Sequence, residues 1–366
     1  MKYYIIAGEA SGDLHGSNLI KELKLLESTS TFRCWGGDKM QAAGASLVKH
    51  YSELAFMGFI EVVMNLRTIF KNLSFCKADI LQHRPDALIL IDYPGFNLRI
   101  AAWAKQQGIK VIYYISPQVW AWKKNRITGI KKNVDKMLVI LPFEKDFYSN
   151  WQYEVTYVGH PLVQVIDSFI EHSPSIAKEK VIAVLPGSRK QEITTKLPIM
   201  LAVANKFPGY RFVVAKAPGI EAVFYDDFLK DHDNVQAVSD STYSLLSSAS
   251  AALVTSGTAT LETALFAVPQ VVCYKGSAIS YTIAKRLITI KYICLVNLIM
   301  DKPVVKELIQ NEVTPENIEK ELHDLLSNKN RQMQLQDDYT TLKKLLGAGG
   351  NASANAALSI YQFLLN

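Results

Sequence analysis

The chain has 366 residues and a mass of 40.9 kDa, enough for two domains or one large one with a full hydrophobic core. Hydrophobic residues make up 49% and charged residues 20%, which excludes a disordered chain. The net charge is +6 and uneven: residues 1–170 hold 20 Lys and Arg against 15 Asp and Glu, and residues 171–366 hold 20 against 19. Six basic residues and one Asp fall within 119–136, so an anionic partner, nucleic acid or lipid headgroup, would belong with the first half.

Four cysteines, Cys34, Cys76, Cys273 and Cys294, form no C-x-x-C pair. A disulfide scaffold and a cysteine-based zinc site are excluded, and a reducing compartment fits. The apolar start Tyr3–Ala7 breaks at Gly8 and Glu9, too short for a signal peptide. No run approaches the roughly 18 apolar residues of a spanning helix. If the protein meets a membrane, it is expected to lie on one.

In chain order, short apolar runs alternate with helical patterns. Strands are expected at Tyr3–Ala7, Leu88–Asp92, Val111–Ser116, Lys136–Leu141 and Val155–Val158. A second series follows at Val181–Leu185, Arg211–Ala215, Val235–Val238, Ala251–Thr255 and Gln270–Tyr274. Near-continuous apolar runs suit parallel strands buried on both faces. Helical patterns such as His15–Glu27, Asn97–Gln107 and Lys190–Phe207 separate them, so doubly wound α/β sheets are expected. Two sheets of five or six strands are favoured over one of ten. The polar, Pro-containing stretch Ile170–Ser175 reads as the linker, giving domains 1–170 and 176–346. Gly347-Ala348-Gly349-Gly350 then breaks the chain before a last apolar helix, Ala352–Leu365, which would pack back on the first domain or on a partner chain.

Four strand-to-helix turns gather chemistry. Gly8-Glu9-Ala10-Ser11-Gly12-Asp13 follows the first strand. Its glycines permit close approach and the next helix offers free N–H groups; the plainer reading is a tight turn with Asp13 as N-cap. Asp92-Tyr93-Pro94-Gly95-Phe96-Asn97 puts a carboxylate at a strand's carboxyl end, where it could act as a general base or simply cap a turn. Leu185-Pro186-Gly187-Ser188-Arg189 combines a turn glycine, a hydroxyl and an arginine before a helix, suited to an anion. Thr255-Ser256-Gly257-Thr258-Ala259-Thr260-Leu261-Glu262 repeats that arrangement, with Glu262 one turn beyond Thr258 and available to ribose hydroxyls. Two such turns in one domain read as a nucleoside-diphosphate site.

Metal signals are weak. Asp231-His232-Asp233 matches D-x-D, but its polar setting reads as a solvated loop. No H-E-x-x-H, P-loop or G-x-S-x-G motif occurs. Two amphiphilic stretches remain: the apolar segment Leu54–Leu73, with Phe56, Met57, Phe59, Ile60 and Met64, and Trp120 and Trp122 beside Lys123 and Lys124. Trp with Lys suits a headgroup region; core burial and a solvated basic loop are the plainer readings.

The turns GEASGD, Asp92–Asn97, PQVWAW (Pro117–Trp122), GHPL (Gly159–Leu162), LPGSR and SGTATLE, with Asn297, together resemble the lipid-A-disaccharide synthase family over nearly the whole chain. Val296 stands where that family usually has proline, and Gly95 where many relatives are acidic. The resemblance implies the GT-B architecture, two Rossmann-like domains facing across a cleft. It implies an inverting transfer from UDP-2,3-diacylglucosamine to 2,3-diacylglucosamine 1-phosphate (lipid X), giving a β-1,6-linked lipid A disaccharide 1-phosphate and UDP, with no cofactor, metal or nucleic acid. Asp92 would be the base, with Glu9, Asp13 and His15 as competitors. Gly187, Ser188, Arg189, Ser256, Gly257, Thr258, Glu262, Asn297 and Gln310 would hold the UDP-sugar. Ser11, Phe56, Met57, Phe59, Ile60, Met64, Trp120, Trp122, Lys123 and Lys124 would serve the acceptor and its acyl chains, on a cytoplasmic enzyme peripheral to the inner membrane. A homodimer through the C-terminal segment stays open. A UDP-sugar 2-epimerase or a non-catalytic nucleotide-sugar-binding protein are the alternatives on the same architecture.

Overall fold

The computed structural model describes residues 1–54, 66–121, 125–173, 177–276, 281 and 290–366. They form two bodies, one of Met1–Pro161 with Leu346–Asn366 and one of Leu162–Leu345.

The first body is built on a seven-stranded parallel sheet. Its strands are β1 (Lys2–Ala7), β2 (Thr31–Gly36), β3 (Ser46–His50), β4 (Ala87–Ile91), β5 (Lys110–Tyr114), β6 (Lys136–Val139) and β7 (Thr156–Tyr157), in the order β3-β2-β1-β4-β5-β6-β7. Alternate residues of each strand feed opposite faces. Tyr4, Ile6, Leu88 and Leu90 join one core with Ile80 and Ile100. Tyr3, Ile5 and Ile89 join the other with Leu19, Ile20 and Ile360.

The second body carries a six-stranded parallel sheet. Its strands are β8 (Val181–Leu185), β9 (Arg211–Ala215), β10 (Val235–Val238), β11 (Ala251–Thr255), β12 (Gln270–Tyr274) and β13 (Lys306–Ile309), ordered β10-β9-β8-β11-β12-β13. Both sheets therefore reverse their winding direction once: between β1 and β4 in the first, between β8 and β11 in the second.

Three strands escaped the apolar-run criterion. β3 and β13 are edge strands and carry Lys49, His50, Lys306 and Glu307. β2 contains Arg33, whose guanidinium forms a double hydrogen bond with Asp79 at 2.6 and 2.8 Å. The first sheet accordingly has seven strands rather than five or six, and the second has six, within the expectation.

The bodies divide at Pro161, ahead of the expected linker, because the helix Pro161–His172 already belongs to the second body from Leu162 onward. Within that linker, residues 174–175 lie outside the described residues. The final helix, Ala352–Leu365, packs against the helix Ala10–Leu26 of the first body. Its return is fixed by backbone: His160 N–H donates to the Leu346 carbonyl at 3.1 Å. A Cβ at Gly349 would lie 2.6 Å from Gly159 Cα, so only glycine lets the two chain segments cross there.

Candidate functional site

In the first body, Ala7 pairs with Ile91 across β1 and β4. The turns that follow thus emerge side by side where the winding reverses, the usual ligand position of an open α/β sheet. They interlock: a Cβ on Gly8 would collide with the Tyr93 ring. The helix after β1 starts at Ala10, earlier than the periodicity suggested, with Glu9 as its N-cap residue.

Asp92 is held in an unusual way. Asp92 and Tyr93 both have φ +46°, the left-handed region, which costs a non-glycine residue about 1–3 kcal/mol. The Asp92 carbonyl accepts from Asn97 Nδ2 at 2.8 Å and from the Tyr113 hydroxyl at 2.5 Å. Asn97 Nδ2 also approaches the carbonyls of Ile91 (3.3 Å) and Ile6 (3.4 Å), tying the ends of β1 and β4 together. Burial, and then the charge of Glu9, push the Asp92 carboxyl up to about 6, against a lowering by the Tyr93 N–H. A carboxyl so tuned is half-ionised at about pH 6 and mostly ionised at neutrality, which suits a general base.

Asp13 plays a different part from either sequence reading. It is buried, with Oδ1 accepting from Gly37 N (2.8 Å) and Met40 N (3.0 Å) and Oδ2 from Lys39 N (3.1 Å). It caps the short helix Asp38–Ala42 and not its own, and three backbone donors leave it poorly placed to take a substrate proton. His15 is buried as well, and burial lowers its pKa to about 4. Glu9 is half-buried and Ser11 exposed at the turn.

Trp120 departs from its expected role. Only 7% exposed, it stands edge-on to Phe143 with ring centroids 5.0 Å apart; it is a core residue of its loop rather than a headgroup anchor. Phe56, Met57, Phe59, Ile60, Met64, Trp122, Lys123 and Lys124 lie outside the described residues. Among the described residues no helix is long and apolar enough to cross a membrane.

In the second body, Leu185 pairs with Val254 across β8 and β11, so the LPGSR and SGTATLE turns also flank a reversal of winding. Gly187 has φ +122° and Gly257 φ +134°, conformations that favour glycine. Ser188 is not the N-cap: the helix Lys190–Leu201 is preceded by Arg189 in extended backbone. Ser188 N–H donates to Glu192 Oε2 at 3.2 Å, and Arg189 Nη1 lies 3.9 Å from Glu192 Oε1. Ser188, Arg189, Gly257 and Thr258 are exposed.

Ser256 Oγ donates to the Ile293 carbonyl at 3.2 Å, and Gly257 precedes the helix Thr258–Leu265. Glu262 accepts from the Tyr243 hydroxyl at 3.2 Å, and burial raises its pKa. Gln310 has φ +53°, and its buried Nε2 has no hydrogen-bond partner among the described residues.

Asn297 is a correction. It is 1% exposed; its Nδ2 donates to Val305 O (2.9 Å) and Glu307 Oε1 (3.0 Å), and its Oδ1 accepts from Val305 N (2.9 Å). Its amide is thus used internally, and its partner Glu307 also receives the N–H groups of Ile293 and Cys294, both at 3.0 Å. Asp231 and Asp233 are exposed in the turn leading into the edge strand β10, whereas the LPGSR and SGTATLE turns leave the carboxyl ends of the central strands β8 and β11.

Tyr113, Glu192, Tyr243 and Glu307 were missed by motif reading. None sits in a turn motif; Tyr113, Tyr243 and Glu307 reach their partners through the fold, and Glu192 reaches back one helical turn to Ser188 and Arg189.

A family model described as lipid-A-disaccharide synthetase matches residues 3–361. The lipid-A-disaccharide synthase of Syntrophus aciditrophicus is 40% identical, covering 97% of this chain and 96% of its own. That of Geobacter metallireducens is 38% identical, covering 94% and 93%. The chain belongs to the lipid-A-disaccharide synthase family. It is a glycosyltransferase of lipid A biosynthesis.

Solved structures add the fold. A UDP-GlcNAc 2-epimerase from Neisseria meningitidis, bound to UDP-GlcNAc, superposes with TM-score 0.67 at 14% identity over 100% of both chains. The glycotransferase of kitacinnamycin gives 0.69 at 16% over 99% of both. This is the GT-B class of two parallel-sheet α/β domains. Epimerases share it, so family membership, and not fold, sets the epimerase and binding-protein alternatives aside.

Proposed function

We propose that this glycosyltransferase joins UDP-2,3-diacylglucosamine to the 6-hydroxyl of 2,3-diacylglucosamine 1-phosphate with inversion, with Asp92 as base. The observation that carries the reading is Asp92 itself: a carboxyl at about 6, fixed on a doubly left-handed backbone where the first sheet reverses. Asp92 takes the hydroxyl proton as that oxygen bonds to the anomeric carbon. The bond from that carbon to the diphosphate oxygen breaks, its electron pair leaves with UDP, and the new linkage is β.

In the second body, Arg189 and the backbone around Gly187, Ser188, Gly257 and Thr258 would stabilise the charge on the leaving diphosphate, as preorganised donors do. Glu262 would receive the ribose hydroxyls through the oxygen that Tyr243 leaves open. The orphaned Nε2 of Gln310 would donate to the donor substrate. Glu9 and Ser11 would face the acceptor. The diacylated substrates imply peripheral contact with an anionic membrane surface, to which the basic excess of 119–136 would contribute.

The test is a product assay with both substrates in detergent, with and without EDTA, read by mass and by the anomeric coupling of the product. A β-linked disaccharide 1-phosphate in both tubes is expected. An α-linkage would overturn inversion. Activity lost with EDTA would return Asp231 and Asp233 to consideration. Sedimentation with anionic vesicles that is indifferent to ionic strength would sink the membrane contact.

A further inference from the structure

Lys196 has no part in the reading so far. It lies on the helix Lys190–Leu201, whose buried stripe is Ile193, Lys196, Leu197, Met200 and Leu201. A lysine thus occupies a core-facing place in a row of apolar residues, and it is 4% exposed. No hydrogen bond or ion pair among the described residues reaches its ammonium. Burying an unpaired ammonium is costly, and burial lowers its pKa. A side chain on a helix leans toward the N-terminus, which carries this ammonium up toward the first turn. The ionisable groups acting on it agree: Glu192, Cys273 and Arg189. Cys273 is buried near the end of β12, and Glu192 already holds the Ser188 N–H.

We propose that Lys196 is a further diphosphate-binding residue, a second cation set beneath the Gly187–Arg189 turn that pairs with the donor's phosphates alongside Arg189. This rests on the donor-site reading above. In the free protein Glu192 offsets part of the local positive charge. When a nucleoside diphosphate occupies the turn, its charge gives the buried ammonium the counter-ion it lacks. The ligand chemistry that fits is a polyanion, and the uridine moiety alone gains nothing from Lys196.

Calorimetric titration of the full chain with UDP and with uridine tests this. Lys196→Met keeps the length and suits the apolar stripe. It is expected to weaken UDP about tenfold, to leave uridine unchanged and to raise or preserve the melting temperature; Lys196→Arg is expected to restore most of the UDP affinity. Unchanged UDP affinity in Lys196→Met, with a raised melting temperature, would show a merely buried side chain and overturn the proposal. A measurement on the unaltered protein needs no folded variant. In a series of alkaline buffers, where burial favours the neutral amine of Lys196, UDP binding should take up protons as the phosphates favour its charged form. Heats identical in buffers of different ionisation enthalpy would overturn it. If Arg189→Ala also bound UDP like wild type, the donor-site reading would itself have failed, an outcome distinct from failure at Lys196 alone.

Discussion

Asp92 shows how one residue acquires reactivity from its surroundings. Burial and the neighbouring Glu9 charge raise its pKa to about 6, and the Tyr93 N–H opposes them. As a base it must be ionised, so transfer should fall as pH drops through about 6 and level off above it. Asp92→Asn keeps the shape and removes the base; a loss of roughly 10²–10⁴-fold in kcat is expected, together with loss of the acid limb in the pH–rate profile. UDP affinity should stay within about twofold. Near-normal turnover in Asp92→Asn would assign the base elsewhere, to Glu9 first, because Asp13 is occupied by three backbone donors. Asp92 was legible in the sequence as a carboxylate after an apolar strand. Its tuning was not, because that depends on burial and on the charge of Glu9, 83 positions away in sequence, which comes close only when β1 and β4 align.

At the scale of elements, the C-terminal helix completes the first body. Ala356, Ala357 and Ile360 are fully buried against Leu19, Ile20 and Leu23, on the face of the sheet that the helix Ala10–Leu26 covers. Ile360→Ala should therefore cost about 2–5 kcal/mol by lost burial and a residual cavity. Leu358→Ala, at a position 44% exposed, should stay within about 0.5 kcal/mol. Urea unfolding of both variants checks this. Equal midpoints would mean that the helix does not pack on the first body in solution. The helix was readable from its apolar pattern and the glycine break before it. Where it docked was not, because an apolar face names no partner.

For the whole molecule, buried titratable groups set how stability follows pH. Burial lowers His15 to about 4 and His160 to about 3, from 6.5. The unfolded chain then binds more protons below about pH 6.5, so these two make stability rise with pH across that window. Burial raises Glu144 from 4.5 to about 7 and Asp92 from 3.8 to about 6. The folded chain binds more protons there, so these two make stability fall as pH rises. The opposed pairs nearly cancel between about pH 4.5 and 6. Below about pH 4.5 the carboxyls become protonated in the unfolded state as well and stop offsetting the histidines, so stability should decline gradually with acid until His15 and His160 are charged in the folded state too. Urea midpoints across about pH 3–8 should show a plateau and an acid shoulder, and His160→Gln should soften the shoulder. A steepest change between pH 5 and 6.5 would contradict this balance.

The sequence by itself determined the fold class, the strands buried on both faces and the four turns that carry chemistry, because apolar period and glycine placement are local properties of the chain. It also carried the family resemblance, through GEASGD, PQVWAW and LPGSR. Tertiary structure decided which side chains of those motifs are free. Asp13, Asn297 and Trp120 have suitable residue types at suitable positions, yet each is occupied or buried by groups distant in sequence. Edge strands β3 and β13 and the charged β2 were likewise settled only by pairing, since a strand with charged residues is identified by its neighbours rather than by its own period. The placing of the four turns at two reversals of winding follows from strand order, which no local pattern encodes.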